Sequence, residues 1–259
     1  MNKLNMTKKY PPLARPPIKE AILQFLVTPS DTYSPDFLKK FVAAESDEYP
    51  KSLAQKETLI QFMSGDDGQH TGFTDKGVNG YKISSDDGLN IVQVFKDRLA
   101  VSRLDSYSSW EDLLEEAQRV WGVYTSIFSP KTATGVSVRY INHFVLPPDM
   151  KNFEDYLEST PNIPKDLPQG LASFYVRYQL PDPDTGAVAS VQLLFEGVKF
   201  DEGSSEPRIP IVLDTDILKR CEIASEDVET IWDNFCQLHD FKNDVFFKTV
   251  KEKALEMFR

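Results

Sequence analysis

Two aspartates that lie two positions apart are the residues best placed to do chemistry in this sequence. Asp214 and Asp216 follow the apolar run Ile211-Val212-Leu213, and they share one face if a strand continues through them. Such a carboxylate pair can hold a divalent cation or take part in acid–base catalysis. The other interpretation is a strand end, where aspartates accept hydrogen bonds from turn amides. We favour the strand end, and we assign neither a metal ligand nor a catalytic residue.

A second polar group interrupts the apolar strand that alternation predicts over Val136–Leu146. Arg139 lies on one face of this strand and Asn142 on the other. An arginine inside a sheet normally pairs with a carboxylate, so we expect it to contact Asp214 or Asp216 on a neighbouring strand. Such pairs are structural more often than functional, yet this region is the best candidate for a site. The candidate ligand-binding residues are Arg139, Asn142, Asp214 and Asp216.

The three histidines give no sign of a catalytic or metal centre. His70 falls in a polar segment, His143 in a strand and His239 near a helix end, with no HxH, HxxE or HExxH spacing among them. The glycine-containing stretch 65–68 is acidic, so it would repel phosphate. No GxSxG, phosphate-loop lysine or nucleophile with a nearby base can be assembled. Nothing here argues for an enzyme, and we expect no cofactor.

Charge and composition restrict the class of partner. The chain has 259 residues, 41% of them hydrophobic, and a formal charge of −11. This charge disfavours nucleic acid, whose binding normally requires a basic face, and it suits another protein as the partner, such as a basic one. Two cysteines without a CxxC motif indicate reduced thiols. No signal peptide or run of ~20 apolar residues is recognisable, so we expect a cytoplasmic protein that does not enter a membrane.

The residues that must position these groups form two series of elements. A proline-rich, extended lead-in over 1–17 precedes the first series. Alternation and capping signals then predict a strand at Ile18–Thr28, a short helix opened by Ser34, strands at Thr58–Met63, Gly80–Ser85, Leu89–Phe95 and Arg98–Leu104, and a helix from Ser109 to Phe128. The polar, glycine-rich stretch Gly65–Asn79 is predicted to be a mobile loop.

The second series repeats this order. After Val136–Leu146 the sequence predicts a short helix around Phe153–Leu157, strands at Ala172–Leu180, Val188–Glu196 and Ile209–Leu213, a long helix capped by Ser225, and a last helical segment at Asp244–Phe258. In the long helices, aligning Trp121 with Trp232 also pairs the apolar residues around them.

These patterns predict an α+β fold made of two tandem, related units. Each unit, 18–130 and 131–259, reads strand, helix, antiparallel strands, helix, with the helices packed on one face of the sheet. The arrangement resembles the TATA-binding-protein-like or helix-grip class of folds. Two such units placed edge to edge would share a longer sheet and bury edge strands. Fold-level likeness of this kind carries no function.

Five short segments carry a further resemblance: Pro16–Ile22, Arg139–Asn142, Ile211–Asp216, Leu238–Asn243 and Phe246–Phe247. In this order and spacing they look like a sporadically distributed family of uncharacterised prokaryotic proteins of about the same length. The resemblance implies no activity and no catalytic residues. The patchy distribution implies a place among mobile defence or toxin–antitoxin genes.

The sequence therefore leads to two functional hypotheses. The first is a non-catalytic protein-binding or regulatory module, antitoxin-like or part of a defence system, which could also form a homodimer. The alternative is a small-molecule or nucleotide receptor, or a hydrolase, that uses the groove between helices and sheet. The first would hold its partner on a sheet face, a sheet edge or the acidic surface, and the second would line its groove with the four candidate residues named above.

Overall fold

The computed structural model describes residues 10–65, 68–105, 107–203 and 205–259. Over these ranges the protein is α+β, with a large antiparallel sheet and four α-helices. The strands are β1 (Ile18–Thr28), β2 (Lys51–Gly65), β3 (Gly68–Ser84), β4 (Asn90–Phe95), β5 (Arg98–Leu104), β6 (Thr132–Leu146), β7 (Phe174–Pro181), β8 (Val188–Phe195), β9 (Lys199–Phe200) and β10 (Pro207–Ala224). The helices are α1 (Asp36–Ala44), α2 (Trp110–Phe128), α3 (Val228–Thr249) and α4 (Glu252–Leu255).

The chain folds into two compact units. Unit 1 comprises the chain up to Glu20 together with residues 138–219 and 236–259, and unit 2 comprises 21–137 and 220–235. In unit 1 the strand order is β6-β10-β8-β7, and β9 pairs with the beginning of β10. In unit 2 the order is β2-β3-β4-β5-β1-β6. The strands β1, β6 and β10 and the helix α3 contribute residues to both units.

Aromatic rings around β1 form the core of unit 2. Phe25 is fully buried, and its ring stacks on Trp121 of α2 with 4.5 Å between ring centres. The rings of Trp232 and Phe235 in α3 meet it edge-on at 5.6 and 4.8 Å. Burying these large rings removes much apolar surface from water, which stabilises the fold by roughly 25 cal/mol for each Å² of apolar surface buried. The predicted helix from Ser109 to Phe128 is confirmed, with Ser109 as its N-cap.

A buried ion pair fastens α1 to α2 in unit 2. The Glu45 side chain, just after α1, has no exposed surface, and both of its oxygens accept hydrogen bonds from Arg119, at 3.1 and 2.7 Å. Arg119 also binds Glu116, which in turn accepts a 2.5 Å hydrogen bond from the Tyr49 hydroxyl. Burial, together with this bond, raises the pKa of Tyr49. The glutamate is thus buried with its charge compensated, as a buried charge requires.

Helix α3 covers the buried face of β6 in unit 1. The Tyr140 side chain points toward this helix, with 6.3 Å between its ring and that of His239. The rings of Phe153, Phe174 and Phe195 form a second cluster, with centres 4.9 to 5.7 Å apart. Since side chains alternate along a strand, the neighbours of Tyr140 in β6 lie on the face opposite α3.

The predicted mobile loop at Gly65–Asn79 is wrong. Strand β3 begins at Gly68, and its backbone pairs antiparallel with β2, placing His70 opposite Met63. Glycine and polar residues weaken strand propensity, but a ladder is made by backbone groups, so it can continue through a polar sequence. Residues 66 and 67 lie outside the described ranges.

The predicted start of the last helical segment at Asp244 is also wrong, because α3 runs unbroken to Thr249 and α4 begins only at Glu252. Asp240 is exposed on the surface of this helix, and no Gly or Pro interrupts it. Its N-terminus is not capped by Ser225, whose hydroxyl donates to the Pro130 carbonyl at 2.5 Å. Asp227 performs this role by accepting from the Thr230 amide at 3.2 Å.

Two further elements differ from their predicted form. The short helix expected around Phe153–Leu157 is a three-residue 3₁₀ turn, Phe153–Asp155. The strand expected at Ile209–Leu213 is much longer, since β10 continues to Ala224. Its alternation of apolar and polar residues persists through Asp214 and Asp216, which therefore lie within a strand and not at its end.

Candidate functional site

A bidentate ion pair lies on the face of unit 1 that is opposite α3. Arg139 of β6 donates from Nε to Oδ1 of Asp214 at 2.9 Å and from Nη2 to Oδ2 at 2.6 Å. The strands β6 and β10 are neighbours, and both residues alternate with fully buried ones. The arginine side chain is 40% exposed and the aspartate 13%. The predicted pairing of Arg139 with a carboxylate is confirmed, and the partner is Asp214.

The pair continues as a line of polar side chains across four strands, which we call the polar ladder: Arg139, Asp214, Gln192 and Tyr175. Gln192 of β8 lies directly opposite Asp214, and its amide nitrogen is 3.5 Å from Oδ2. The Tyr175 hydroxyl of β7 donates to Oε1 of Gln192 at 2.6 Å. Each member fixes the orientation of the next, so the ladder presents a preformed polar surface.

Three carboxylates act on the charge of Arg139. Its hydrogen bonds to Asp214 raise the pKa of the guanidinium, and the charges of Asp214, Asp216 and Glu20 add to this effect. Glu20 and Asp216 both belong to unit 1; Asp216 lies between two buried residues of β10, and Glu20 precedes the buried Ala21 of β1. Within this group of four side chains, three negative charges accompany one positive charge.

Asn142 does not join the other three predicted residues. Its side chain is buried, and its amide nitrogen donates to the backbone carbonyl of Leu213 at 3.3 Å. It therefore lies on the α3 side of β6 and links that strand to β10. Of the four predicted residues, the structure brings Arg139 and Asp214 into contact and places Asp216 within electrostatic range of Arg139.

A buried lysine, Lys242 of α3, is a feature that the sequence reasoning missed. Its Nζ lies 3.7 Å from the centre of the Tyr140 ring and 2.6 Å from Oδ1 of Asn243. Burial lowers the pKa of Lys242 to about 7, and the nearby charge of Asp240 only partly opposes this effect. One signal could have found it: Lys242 follows Leu238 by four positions, which places it on the apolar stripe of the helix.

A cavity of about 270 Å³ lies between the N-terminus of α2 and the strands β4 and β5 in unit 2. Arg103 projects into this region and donates to Oδ1 of Asn90 at 3.0 Å. The acidic side chains Asp112 and Glu116 line the opposite side. The cavity is a groove between helix and sheet, as the alternative hypothesis requires, but none of the four predicted residues lines it.

No three His, Cys, Asp or Glu side chains of the described residues come together as a metal site would need. Within the same ranges, no helix has both the length and the apolar character needed to cross a membrane. No protein-family model matches this chain, and no curated protein sequence matches it either.

Proposed function

We propose that this chain is a non-catalytic protein-binding or regulatory module that holds a basic partner on the face of unit 1 bearing the polar ladder. One observation carries the proposal: the Arg139–Asp214 pair lies on a face where the arginine side chain is 40% exposed, and the further carboxylates of Asp216 and Glu20 act on its charge. A preformed polar surface loses little conformational entropy on binding. Its surplus negative charge attracts lysine or arginine side chains and speeds association.

The chemistry of the ladder suits binding better than catalysis. A guanidinium remains protonated under physiological conditions, so Arg139 cannot serve as a general base. Both oxygens of Asp214 are occupied by this guanidinium. Gln192 and Tyr175 are neutral hydrogen-bonding groups, which give directional specificity to a polar contact.

The proposal includes a tandem origin for the fold, with related units over 18–130 and 131–259 in a TATA-binding-protein-like or helix-grip-like arrangement. The strand order supports this: β5, the strand before α2, lies beside β1, and β10, the strand before α3, lies beside β6. The surroundings of the two aligned tryptophans support it as well, because Trp121 and Trp232 both contact Phe25.

The biological setting that we propose is that of an antitoxin-like or defence-system protein, whose partner is encoded nearby. The test is co-expression of the tagged chain with the products of its neighbouring genes, followed by affinity capture. The double variant Asp214→Asn/Asp216→Asn should lose the captured partner, and wild-type capture should weaken as salt is raised. The double variant Asp201→Asn/Glu206→Gln, which removes the same charge near β9, should retain it. Capture of no neighbour, or equal capture by both variants, would refute the proposal.

The cavity in unit 2 favours a second candidate function, a receptor for a small molecule or nucleotide, or a hydrolase. Its volume is near the lower end of ligand pockets, and Arg103 supplies a fixed positive charge to an acidic ligand group. The test is a thermal-shift screen against metabolites and nucleotides with wild type and Arg103→Met. A shift that Arg103→Met abolishes supports this candidate, whereas the absence of any shift eliminates it.

A further inference from the structure

The strand β7 is the last strand on its side of the sheet in unit 1. Its residues pair with β8 along the inner edge, from Phe174 opposite Phe195 to Pro181 opposite Val188. Among the described residues, no backbone hydrogen bond from another segment reaches the outer edge of β7. An open edge of this kind presents a row of backbone donors and acceptors that can pair with another strand.

Exposed apolar side chains are concentrated in the part of the chain that contains β7. Of the nine large hydrophobic residues that are exposed among the described ones, six fall between positions 167 and 200. These six are Leu167, Tyr175, Leu180, Val188, Val198 and Phe200. Tyr175 and Leu180 belong to β7 itself, and Val188 of β8 lies opposite Pro181 at its end. Exposed apolar residues grouped in this way are typical of an interaction surface.

The charge of β7 favours a second copy of the chain as the occupant. The whole chain carries −11, but the eight residues of β7 contain no carboxylate and a single basic residue, Arg177. Two copies therefore repel each other less at this strand than at an average part of their surfaces. When two strands pair, side chains of the two copies face each other across the line where the strands meet, which we call the seam. Their types can therefore be complementary.

We propose that two copies of this chain form a dimer by antiparallel pairing of their β7 strands. The register that fits best places Tyr178 opposite Tyr178 of the partner subunit. Val176 then faces Leu180 of the partner subunit, which pairs two apolar side chains. Arg177 faces Gln179 of the partner subunit, whereas centring the seam on residue 177 would oppose two arginines directly and destabilise the pair.

The first test is sedimentation analysis of the isolated wild-type chain over a range of concentrations, with a matched pair of variants. Leu180→Lys places a charge in the seam and should raise the dimer dissociation constant about tenfold or more. Leu53→Lys changes an exposed leucine of β2, the last strand of unit 2, and should leave the constant unchanged. A monomeric wild type, or a dimer that Leu53→Lys weakens and Leu180→Lys does not, would overturn the proposal.

A second test checks the strand pairing without relying on loss of binding. Under mild oxidation, Tyr178→Cys should form a disulfide-linked dimer, because the two positions face each other across the seam. Gln179→Cys should form much less, since it faces Arg177 of the partner subunit. Wild type corrects for the native thiols of Cys221 and Cys236. Equal cross-linking of both variants, or none with Tyr178→Cys, would contradict the proposed seam.

The proposed dimer and the proposed protein partner can be refuted independently of each other. The dimer is measured on the isolated chain, and Asp214→Asn/Asp216→Asn should leave its dissociation constant unchanged. The same double variant is the one expected to lose the captured partner. If Asp214→Asn/Asp216→Asn dissociated the dimer, the result would count against β7 as the seam.

Discussion

The ammonium nitrogen of Lys242 lies 3.7 Å from the centre of the Tyr140 ring, inside unit 1 and almost out of contact with water. It donates a hydrogen bond to the neighbouring Asn243 side chain, at 2.6 Å. The ring face attracts a cation, but this attraction does not offset the desolvation that lowers the pKa of the amine to about 7. The lysine therefore opposes folding whenever it must be protonated in the native state.

We predict that Lys242→Met stabilises the protein and that the gain depends on pH. Between pH 7 and 10.5 the unfolded chain binds a proton at Lys242 and the native state does not, so the free energy of unfolding of wild type rises with pH. The gain from Lys242→Met should be largest at pH 7 and below, on the order of a few kcal/mol, and should vanish near pH 10.5. Urea unfolding at several pH values measures it.

The control for this prediction is Lys248→Met. Lys248 lies on the same helix, but its side chain is 70% exposed and pairs with Asp244. Its removal should change the free energy of unfolding by less than about 1 kcal/mol, with no trend between pH 7 and 10. A gain for Lys242→Met that stayed constant over this range would mean that the native-state pKa is not lowered.

The sequence predicts some elements well because local and tertiary preferences agree there. The strands Ile18–Thr28 and Arg98–Leu104 have the predicted bounds, since strict alternation or turn residues define both ends. Around Gly68 the two preferences conflict, and backbone pairing with β2 prevails over composition. Local patterns carry no information about such long-range pairing.

The candidate site was predictable only in part, for a similar reason. An arginine inside a sheet normally pairs with a carboxylate, and this rule was sufficient to predict that Arg139 is paired. The choice between Asp214 and Asp216 depends on the register of β6 against β10, which no local pattern gives. Gln192 and Tyr175 join the ladder through the pairing of strands that are distant from Arg139 in sequence.

A second prediction concerns the core of unit 2. Phe25→Ala should lower the free energy of unfolding by about 3–5 kcal/mol, because the ring contacts Trp121, Trp232 and Phe235 and leaves a cavity when removed. Tryptophan fluorescence of the folded variant should also shift to the red as water approaches the two indole rings. Phe25→Leu, which retains most of the side-chain volume, should lower the free energy of unfolding much less. Equal effects of the two variants would contradict this packing.

A third prediction concerns the ion pair of the polar ladder. Arg139→Met should lower the free energy of unfolding by about 1–2 kcal/mol, because it leaves the largely buried Asp214 carboxylate without its donor. Arg208→Met is the matched control, since Arg208 and Asp201 form a pair on the surface with both side chains at least half exposed. This control should change stability by less than about 1 kcal/mol. If both variants lower the free energy of unfolding by the same amount, the Arg139–Asp214 pair stabilises unit 1 no more than a surface pair does.

A fourth prediction follows from the position of Glu45, whose side chain has no exposed surface and whose carboxylate is bound at both oxygens by Arg119. Arg119→Met should lower the free energy of unfolding by about 3–5 kcal/mol, because an uncompensated charge then stays buried between α1 and α2. The double variant Glu45→Met/Arg119→Met removes both charges and should recover most of the loss. Lys131→Met, which breaks an exposed pair with Asp31, should cost less than about 1 kcal/mol. Urea unfolding of the three variants measures the difference. A double variant that is less stable than Arg119→Met would mean that Glu45 stabilises unit 2 through contacts other than this ion pair.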